Sequence, residues 1–172
     1  CGGNLERRPD LVLYINGIAM GVIELKNSRT SISDGIRQLL SNQQKEFNEW
    51  FFSTVQIVFA GNDTEGLRYG SIKTGEKFFL QWKEDEADNS RFKLDKYLLK
   101  MCRKDRLLEL IHDFILFDGG VKKLPRVHQY FGIKAAQDGP RGVGTEEGGR
   151  HAGLARQGFA DGGTQLQLQR IA

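Results

Sequence analysis

The sequence predicts an α/β fold in which a central sheet is flanked by helices, and three observations support this prediction. Two apolar runs, 11–15 and 18–26, are joined by Asn16-Gly17 and predict a β-hairpin. Apolar residues at helical spacing follow over about 33–50, and a further apolar run spans 55–60. The order hairpin, helix and strand therefore favours a sheet packed against helices.

The two strands of the hairpin lack regular polar alternation, so we expect both of their faces to be buried. Glu24 and Lys26 lie two residues apart in the second strand and therefore project from one face. A strict two-residue turn places Asp10 opposite Ile23. A three-residue turn or a β-bulge, for which Gly21 is the natural position, brings Asp10 opposite Glu24, and we predict one of the two.

Two carboxylates and one amine converge at the open end of the hairpin if that shift occurs. Asp10 and Glu24 offer the hard oxygen ligands that Mg²⁺ prefers, and the backbone carbonyl of Leu25 is a further candidate ligand. A metal there lowers the pKa of a bound water and offsets negative charge on a phosphate. Lys26 is then suited to positioning the nucleophile or stabilising the developing charge. The alternative is a surface aspartate and an ordinary Glu/Lys pair on a strand.

Further elements follow along the chain. Ser31 or Ser33 is a candidate N-cap for a helix that runs to about Trp50. A charged loop over 83–91 is expected to be solvated, and Gly119-Gly120 is expected to end the last long helix. Further strands are predicted at 55–60, 67–73 and 78–82, and further helices at 92–101 and 104–118.

The composition is that of a globular protein with one domain of ordinary size. The chain has 172 residues, 39% of them hydrophobic, and a formal net charge of +3, which is too small to indicate nucleic-acid binding by itself. No apolar run approaches the roughly 20 residues of a membrane span, and no signal peptide is recognisable. Cys1 and Cys102 lack metal-type spacing, which argues against a zinc site or disulfide framework and fits a reducing cytoplasm.

The stretch 8–27, Arg-Pro-Asp-Leu-Val-Leu-Tyr-Ile-Asn-Gly-Ile-Ala-Met-Gly-Val-Ile-Glu-Leu-Lys-Asn, resembles the nuclease motif in the restriction subunit of type I restriction-modification enzymes. That subunit is similar to other PD-(D/E)xK nucleases, and the resemblance extends over about 4–137. It implies a restriction-endonuclease-like mixed central sheet flanked by helices, incomplete here at its N-terminal side. It also implies that Asp10 and Glu24 are metal ligands and that Lys26 is the catalytic lysine.

One further motif of that family is only half matched. A Gln-xxx-Tyr motif often follows on the next helix of these nucleases, and Gln38 stands at the expected place. Asn42 occupies the Tyr position, so the second half of the motif is missing. We therefore take Gln38 as a candidate auxiliary catalytic residue.

The resemblance implies three parts: a partial nuclease domain at 1–118, a linker and start of a motor domain at 119–137, and an unassigned tail at 138–172. Gln129 is then the candidate contact to the adenine of ATP. The full-length subunit would be a Mg²⁺-dependent endonuclease that cuts double-stranded DNA, coupled to ATP-driven translocation. Its partners would be the modification and specificity subunits, in the cytoplasm and not at a membrane.

The last 35 residues depart from the family pattern. They contain nine Gly and no Lys, so they lack the lysine of a Walker A loop, and we expect this tail to be poorly ordered. The change resembles a reading-frame slip, with a native linker as the alternative. The chain also lacks an initiator Met, so we expect a fragment. Two other hypotheses stay open: a PD-(D/E)xK nuclease without a motor, and an inactive truncated remnant.

Overall fold

A computed structural model of the chain describes residues 7–138 and 165–170. The strands are β1 Leu11–Ile15, β2 Ile18–Leu25, β3 Ile57–Asn62, β4 Gly66–Gly70, β5 Leu80–Gln81, β6 Leu116–Asp118, β7 Val121–Lys123 and β8 Leu166–Arg170. The helices are α1 Ile32–Asn42, α2 Lys93–Met101, α3 Lys104–Asp113 and α4 Val127–Asp138, and short 3-10 turns span Glu49–Ser53 and Glu76–Phe78.

Six of the strands form a mixed sheet in the order β5-β4-β3-β2-β1-β8, and β6 and β7 form a separate hairpin. β2 and β3 run parallel, and α1 lies in the crossover between them, as a parallel pair requires. Every other neighbouring pair in the described sheet is antiparallel. The predicted α/β fold, a mixed sheet flanked by helices, is confirmed. Across residues 7–138 and 165–170, no helix has the length and apolar character to cross a membrane.

The hairpin of β1 and β2 contains the register shift that the sequence analysis predicted. Asn16 and Gly17 both have positive φ, 51° and 82°, as a tight two-residue turn demands. From the turn, Tyr14 pairs with Ala19, but the next pair is Leu13 with Gly21, so β2 has one extra residue at this point. The prediction of a bulge near Gly21 is therefore confirmed, and the pairing continues toward Asp10 opposite Glu24.

The central strands separate two hydrophobic cores. Val22 and Val58 face α1 together with Ile36 and Leu39 of that helix. Ile23 and Phe59, the next residues along β2 and β3, face the opposite core. Because helices cover both sides of the sheet, these strands are apolar without alternation, as the sequence analysis expected. The opposite core also contains residues of the other three helices, among them Tyr97, Met101, Leu107, Leu110 and Tyr130.

The helix α1 begins as predicted but ends earlier. Ser31 is its N-cap and accepts a hydrogen bond from the Ser33 backbone N–H. The helix ends at Asn42, whereas the sequence analysis extended it to about Trp50, whose side chain is in fact 76% exposed. The cause is Gln43, which is buried: its Nε2 donates to the Leu39 carbonyl and its Oε1 accepts from the Lys73 backbone N–H. These bonds fasten the end of the helix to the turn after β4.

The helix predicted at 104–118 is also too long. α3 ends at Asp113, and the following residues form the β6–β7 hairpin. Gly119 and Gly120 both have positive φ, 56° and 78°, so they make a two-residue hairpin turn and do not cap a helix. Two adjacent glycines favour that turn because it needs φ > 0 at both central positions.

The residues predicted as linker and start of a motor domain, 119–137, pack on the same core as the sheet. Tyr130 of α4 is buried, and its ring centroid lies 4.8 Å from that of Phe114 and 5.6 Å from that of Trp82. The Tyr69 hydroxyl of β4 donates to the Pro125 carbonyl at 2.6 Å. In the described structure, the boundary drawn at residue 118 therefore does not separate two cores.

Among the described residues of the tail predicted as poorly ordered, 138–172, residues 166–170 form the strand β8. β8 pairs antiparallel with β1 along all five residues of β1, and the Asn16 backbone N–H donates to the Gln165 carbonyl. For 165–170 the prediction of disorder is therefore wrong, because this short Leu-Gln repeat pairs with the outer edge of β1. The remainder, 139–164 and 171–172, lies outside the described residues.

The other strand predictions need smaller corrections. The run predicted at 55–60 forms β3 two residues later, and the run at 67–73 forms the shorter β4. Of the strand predicted at 78–82, only β5 remains, because a 3-10 turn precedes it.

Candidate active site

The candidate site lies where β1 begins and β2 ends, and Asp10 is the first of its residues along the chain. Asp10 directly precedes β1 and is half-buried. Its Oδ2 accepts a hydrogen bond from the Leu25 backbone N–H at 2.7 Å. The bulge in β2 is what makes this contact possible, since without it Asp10 would face Ile23. The carboxylate is thereby held against the end of β2.

Glu24 is the most deeply buried acidic side chain of the site, with 1% of it exposed. It projects from the face of β2 that α1 covers, and its Oε1 accepts from Lys26 Nζ at 2.9 Å. Its Oε2 is buried without a hydrogen-bond partner among the described residues. Burial raises the pKa of this carboxyl, and the nearby Asp10 carboxylate raises it further, while Lys26 acts in the opposite direction.

Lys26 connects the strand to the helix α1. Its Nζ donates to Glu24 Oε1 and, at 2.6 Å, to Gln38 Oε1. The predicted pairing of Glu24 and Lys26 on one face of β2 is therefore present, and Gln38 lies next to them. The side chains of Asp10, Glu24, Lys26 and Gln38 are accordingly brought together, with Leu25 between them in the chain.

Gly35 lets α1 pass close enough for Gln38 to reach Lys26. A Cβ added at Gly35 would lie 3.3 Å from Lys26 Cγ, tighter than most Cβ contacts, and 3.4 Å from the Ala60 Cβ, at van der Waals distance. Gly35 was not among the site residues predicted from the sequence. The available signal was an isolated glycine inside a helical pattern, which usually has a packing reason because it costs helix stability.

The loop between β2 and α1 is held by the turn between β3 and β4, which the sequence analysis also missed. Asn62 is buried, and its Nδ2 donates to the Thr30 carbonyl at 2.9 Å. Glu65 Oε1 accepts from the Ile32 backbone N–H at 2.9 Å, at the first turn of α1. These two side chains therefore fix where α1 starts. The start of α1 in turn sets the position of Gln38 relative to Lys26. Polar residues in a predicted turn gave no signal for this role.

The donor set at this site suits a hard divalent cation. Two carboxylates adjoin each other, and one buried oxygen, Glu24 Oε2, lacks a hydrogen bond within the described chain. A buried anionic oxygen without a partner is costly, and a bound cation would satisfy it. Residues 7–138 and 165–170 contain no group of three or more His, Cys, Asp or Glu side chains that could by themselves hold a metal ion. Two carboxylates leave room for water and phosphate oxygens, which matches the preference of Mg²⁺ for partial hydration.

Gln129 lies elsewhere, in the first turn of α4. Its side chain is exposed, and its Oε1 accepts from the Arg126 backbone N–H at 2.8 Å. This is half of a capping box, in which a polar side chain of the first turn satisfies a backbone donor at the helix start. The structure thus gives Gln129 a local role at the start of its helix.

The chain is similar to proteins of one family. Residues 2–77, which include Asp10, Glu24, Lys26 and Gln38, match the family described as type I restriction enzyme R protein N terminus. The type I restriction enzyme HindI endonuclease subunit of Haemophilus influenzae is 26% identical over 162 residues, 87% of this chain. The putative type I restriction enzyme MjaIXP endonuclease subunit of Methanocaldococcus jannaschii is 27% identical over 154 residues, 77% of this chain.

These matches confirm the resemblance on which the sequence analysis relied. The chain spans only 15% of the length of the first relative and 14% of the second. It is thus homologous to type I restriction enzyme endonuclease subunits over most of its own length, and it corresponds to a small part of theirs.

Proposed function

We propose that this chain, a homologue of type I restriction enzyme endonuclease subunits, carries the endonuclease module of a type I restriction-modification enzyme. Its reaction is the Mg²⁺-dependent cleavage of double-stranded DNA, and its fold is of the restriction-endonuclease-like, PD-(D/E)xK kind. One observation carries the proposal. Asp10, Glu24 and Lys26, the three residues of the motif, lie together at one end of the sheet, with Gln38 bonded to the lysine.

Asp10 and Glu24 are the residues that would hold Mg²⁺, with the Leu25 carbonyl as a further ligand. The bound ion supplies a water of lowered pKa and offsets negative charge on the phosphate. Asp10 is oriented for this task by the Leu25 backbone N–H, which occupies Oδ2. Glu24 brings an anionic oxygen that has no hydrogen-bond partner among the described residues.

Lys26 is the group that contacts the reacting phosphate or the attacking water. Its ammonium donates to Glu24 and Gln38, so two acceptors fix its direction. An ammonium held in this way stabilises negative charge that develops on the phosphate without having to reorganise. Gln38 acts through Lys26 by orienting it.

The remaining assignments concern the full-length subunit. We propose that it couples cleavage to ATP-driven translocation and works in the cytoplasm with the modification and specificity subunits of a restriction complex. The contact of Gln129 with ATP stays a prediction for that larger protein.

Cleavage of supercoiled plasmid DNA by the purified chain tests the proposal. We expect nicked and linear products with Mg²⁺, none with EDTA, and none from the variants Asp10→Ala and Lys26→Ala. The matched controls Asp113→Ala and Lys104→Ala change exposed residues on α3 and should cut like the wild type. If the wild-type chain does not cut with Mg²⁺, or if Asp10→Ala cuts equally well, the proposal is wrong, and the former result favours an inactive remnant.

A further inference from the structure

A basic cavity lies beside β5, at the edge of the sheet farthest from β8. It has a volume of about 500 Å³ and is lined by side chains of β4, the β5 region and the first turn of α4. Four of its lining residues carry positive charge, and no Asp or Glu side chain is among the described residues that line it. The four are Arg68, Lys77, Lys83 and Arg126.

The charges in this cavity are only partly compensated. Lys83 lies 3.3 Å from Glu86, so its charge is partly neutralised by a neighbour outside the cavity. Lys77 is exposed and stands over the ring of Phe78, 4.9 Å from its centroid, and Arg126 is exposed as well. Because like charges repel, a concave surface with this charge set favours an anion. Phosphate is one of the anions that Arg and Lys side chains commonly bind through charge-assisted hydrogen bonds.

One residue that lines the cavity, Arg68, is related to the candidate active site by the register of the sheet. Glu24 pairs with Ala60, and Ala60 pairs with Arg68. Residues paired across strands point to the same face, so Arg68 projects from the face of the sheet that bears Glu24. Two strand spacings separate them, about 10 Å between backbones. One DNA strand carries a phosphate every 3.4 Å or so along the duplex axis, so this interval corresponds to a few successive phosphates.

We infer that this cavity is a phosphate subsite, which binds a backbone phosphate of the same DNA duplex a few nucleotides from the phosphate at the Asp10–Glu24 site. The inference rests on the proposed function, because it assigns the same substrate to both places. Arg68 and Arg126 bind the phosphate oxygens, and Lys77 adds a point charge at the rim. Such contacts hold the duplex in register without reading its sequence.

The test measures the salt dependence of DNA binding in EDTA, so that binding is independent of the metal site. A fluorescent duplex is titrated with the full chain at about 50 to 200 mM salt. Each phosphate contact contributes about 0.9 to the slope of log affinity against log salt. The slope for the double variant Lys77→Gln/Arg126→Gln should therefore be smaller in magnitude than that of the wild type by roughly 1.8. Over this salt range, the factor by which the variant loses affinity should then be about tenfold smaller than for the wild type. Both residues are exposed, so folding should be retained.

The matched control is Arg103→Gln/Lys104→Gln, which removes the same charge from exposed residues of the α3 start that do not line the cavity. Its salt slope should equal that of the wild type. The single variant Arg68→Gln, checked for folding by circular dichroism, should lower the slope by about 0.9.

Failure of this inference is distinguishable from failure of the proposed function. Equal slopes for the wild type and the cavity variants, or no duplex binding by the wild type, would overturn the subsite. Lower slopes in the cavity variants would support it. The proposed function is judged separately by plasmid cleavage, in which Asp10→Ala must be inactive whatever the salt slopes show.

Discussion

The Glu24 carboxyl is a buried acid whose ionised form lowers the stability of the folded protein. Because burial raises its pKa above the ordinary value of 4.5, the folded protein holds this proton more tightly than the unfolded chain. The associated stability is present below the ordinary pKa and is lost as the pH rises through the raised value. Without divalent cations, Glu24→Gln should therefore gain stability relative to the wild type across that interval.

Urea unfolding of both proteins in EDTA at a series of pH values checks this expectation. Replacing Glu46 by Gln, at an exposed position in the turn after α1, is the control and should leave the pH dependence unchanged. If Glu24→Gln loses stability relative to the wild type as the pH rises, the pairing with Lys26 outweighs burial and the account of Glu24 is wrong.

The proposed role of Gln38 is to orient Lys26, to which it is hydrogen-bonded. The 2.6 Å hydrogen bond from Lys26 Nζ involves a charged donor, and such bonds contribute about 1.5–3 kcal/mol. If that energy is lost in the transition state, Gln38→Leu should lower kcat about ten- to a hundredfold and leave the KM for DNA unchanged. Gln44→Leu, at an exposed position after the same helix, is the control. A kcat like that of the wild type would show that Gln38 has no positioning role.

At the scale of elements, the site depends on how closely α1 crosses β2. Gly35→Ala adds a Cβ at 3.3 Å from Lys26, whereas Gly132→Ala in α4 adds one with nothing within 4 Å. Gly132→Ala should raise the free energy of unfolding by about 0.5–1 kcal/mol, the usual gain of alanine in a helix. Gly35→Ala should show no such gain and should lower DNA cleavage, as measured by thermal unfolding and plasmid assay. Equal stabilisation by both changes would contradict a close crossing at Gly35.

The elements differ in how far the sequence determines them. The Asn16-Gly17 turn, the bulge near Gly21 and the Ser31 cap follow from local chemistry, and they were predicted correctly. The helix ends at Asn42 and Asp113 were not. The first depends on a distant contact, because Gln43 bonds to Lys73, and the second on the hairpin that Gly119 and Gly120 form after α3. Periodicity continues past both points and contains no information on these partners.

At the scale of the whole molecule, the core on the side of the sheet opposite α1 joins the sheet to the other three helices, and α4 belongs to it. Tyr130 is buried there against Phe114 and Trp82, and its hydroxyl donates to Glu109. Tyr130→Ala should therefore lower the free energy of unfolding by about 3–5 kcal/mol, as for other buried aromatic residues. Ile133→Ala, at a position 46% exposed on the same helix, should cost about 1 kcal/mol or less.

Denaturant unfolding measured by tryptophan fluorescence and by circular dichroism checks this prediction. Both probes should give one coincident transition in the wild type, since Trp82 contacts α4. A separate early transition of α4 with little effect of Tyr130→Ala would instead support a linker at 119–137.

At this scale the sequence predicted the class of fold and the grouping of Asp10, Glu24, Lys26 and Gln38, because the motif lies within one hairpin and the next helix. It did not predict that α4 joins the core or that β8 pairs with β1. Both depend on contacts between segments far apart in sequence. For the same reason, the alignment of Arg68 with Glu24 emerges only from the register of three neighbouring strands.

Divalent metal binding, measured by calorimetric titration, tests the central claim most directly. Mn²⁺ is a suitable probe because carboxylate sites accept it as they accept Mg²⁺. We expect one Mn²⁺ per wild-type chain, loss of that binding in Asp10→Asn and Glu24→Gln, and full binding in Asp113→Asn. Undiminished binding by Asp10→Asn, or no binding by the wild-type chain, would contradict a metal site formed by Asp10 and Glu24.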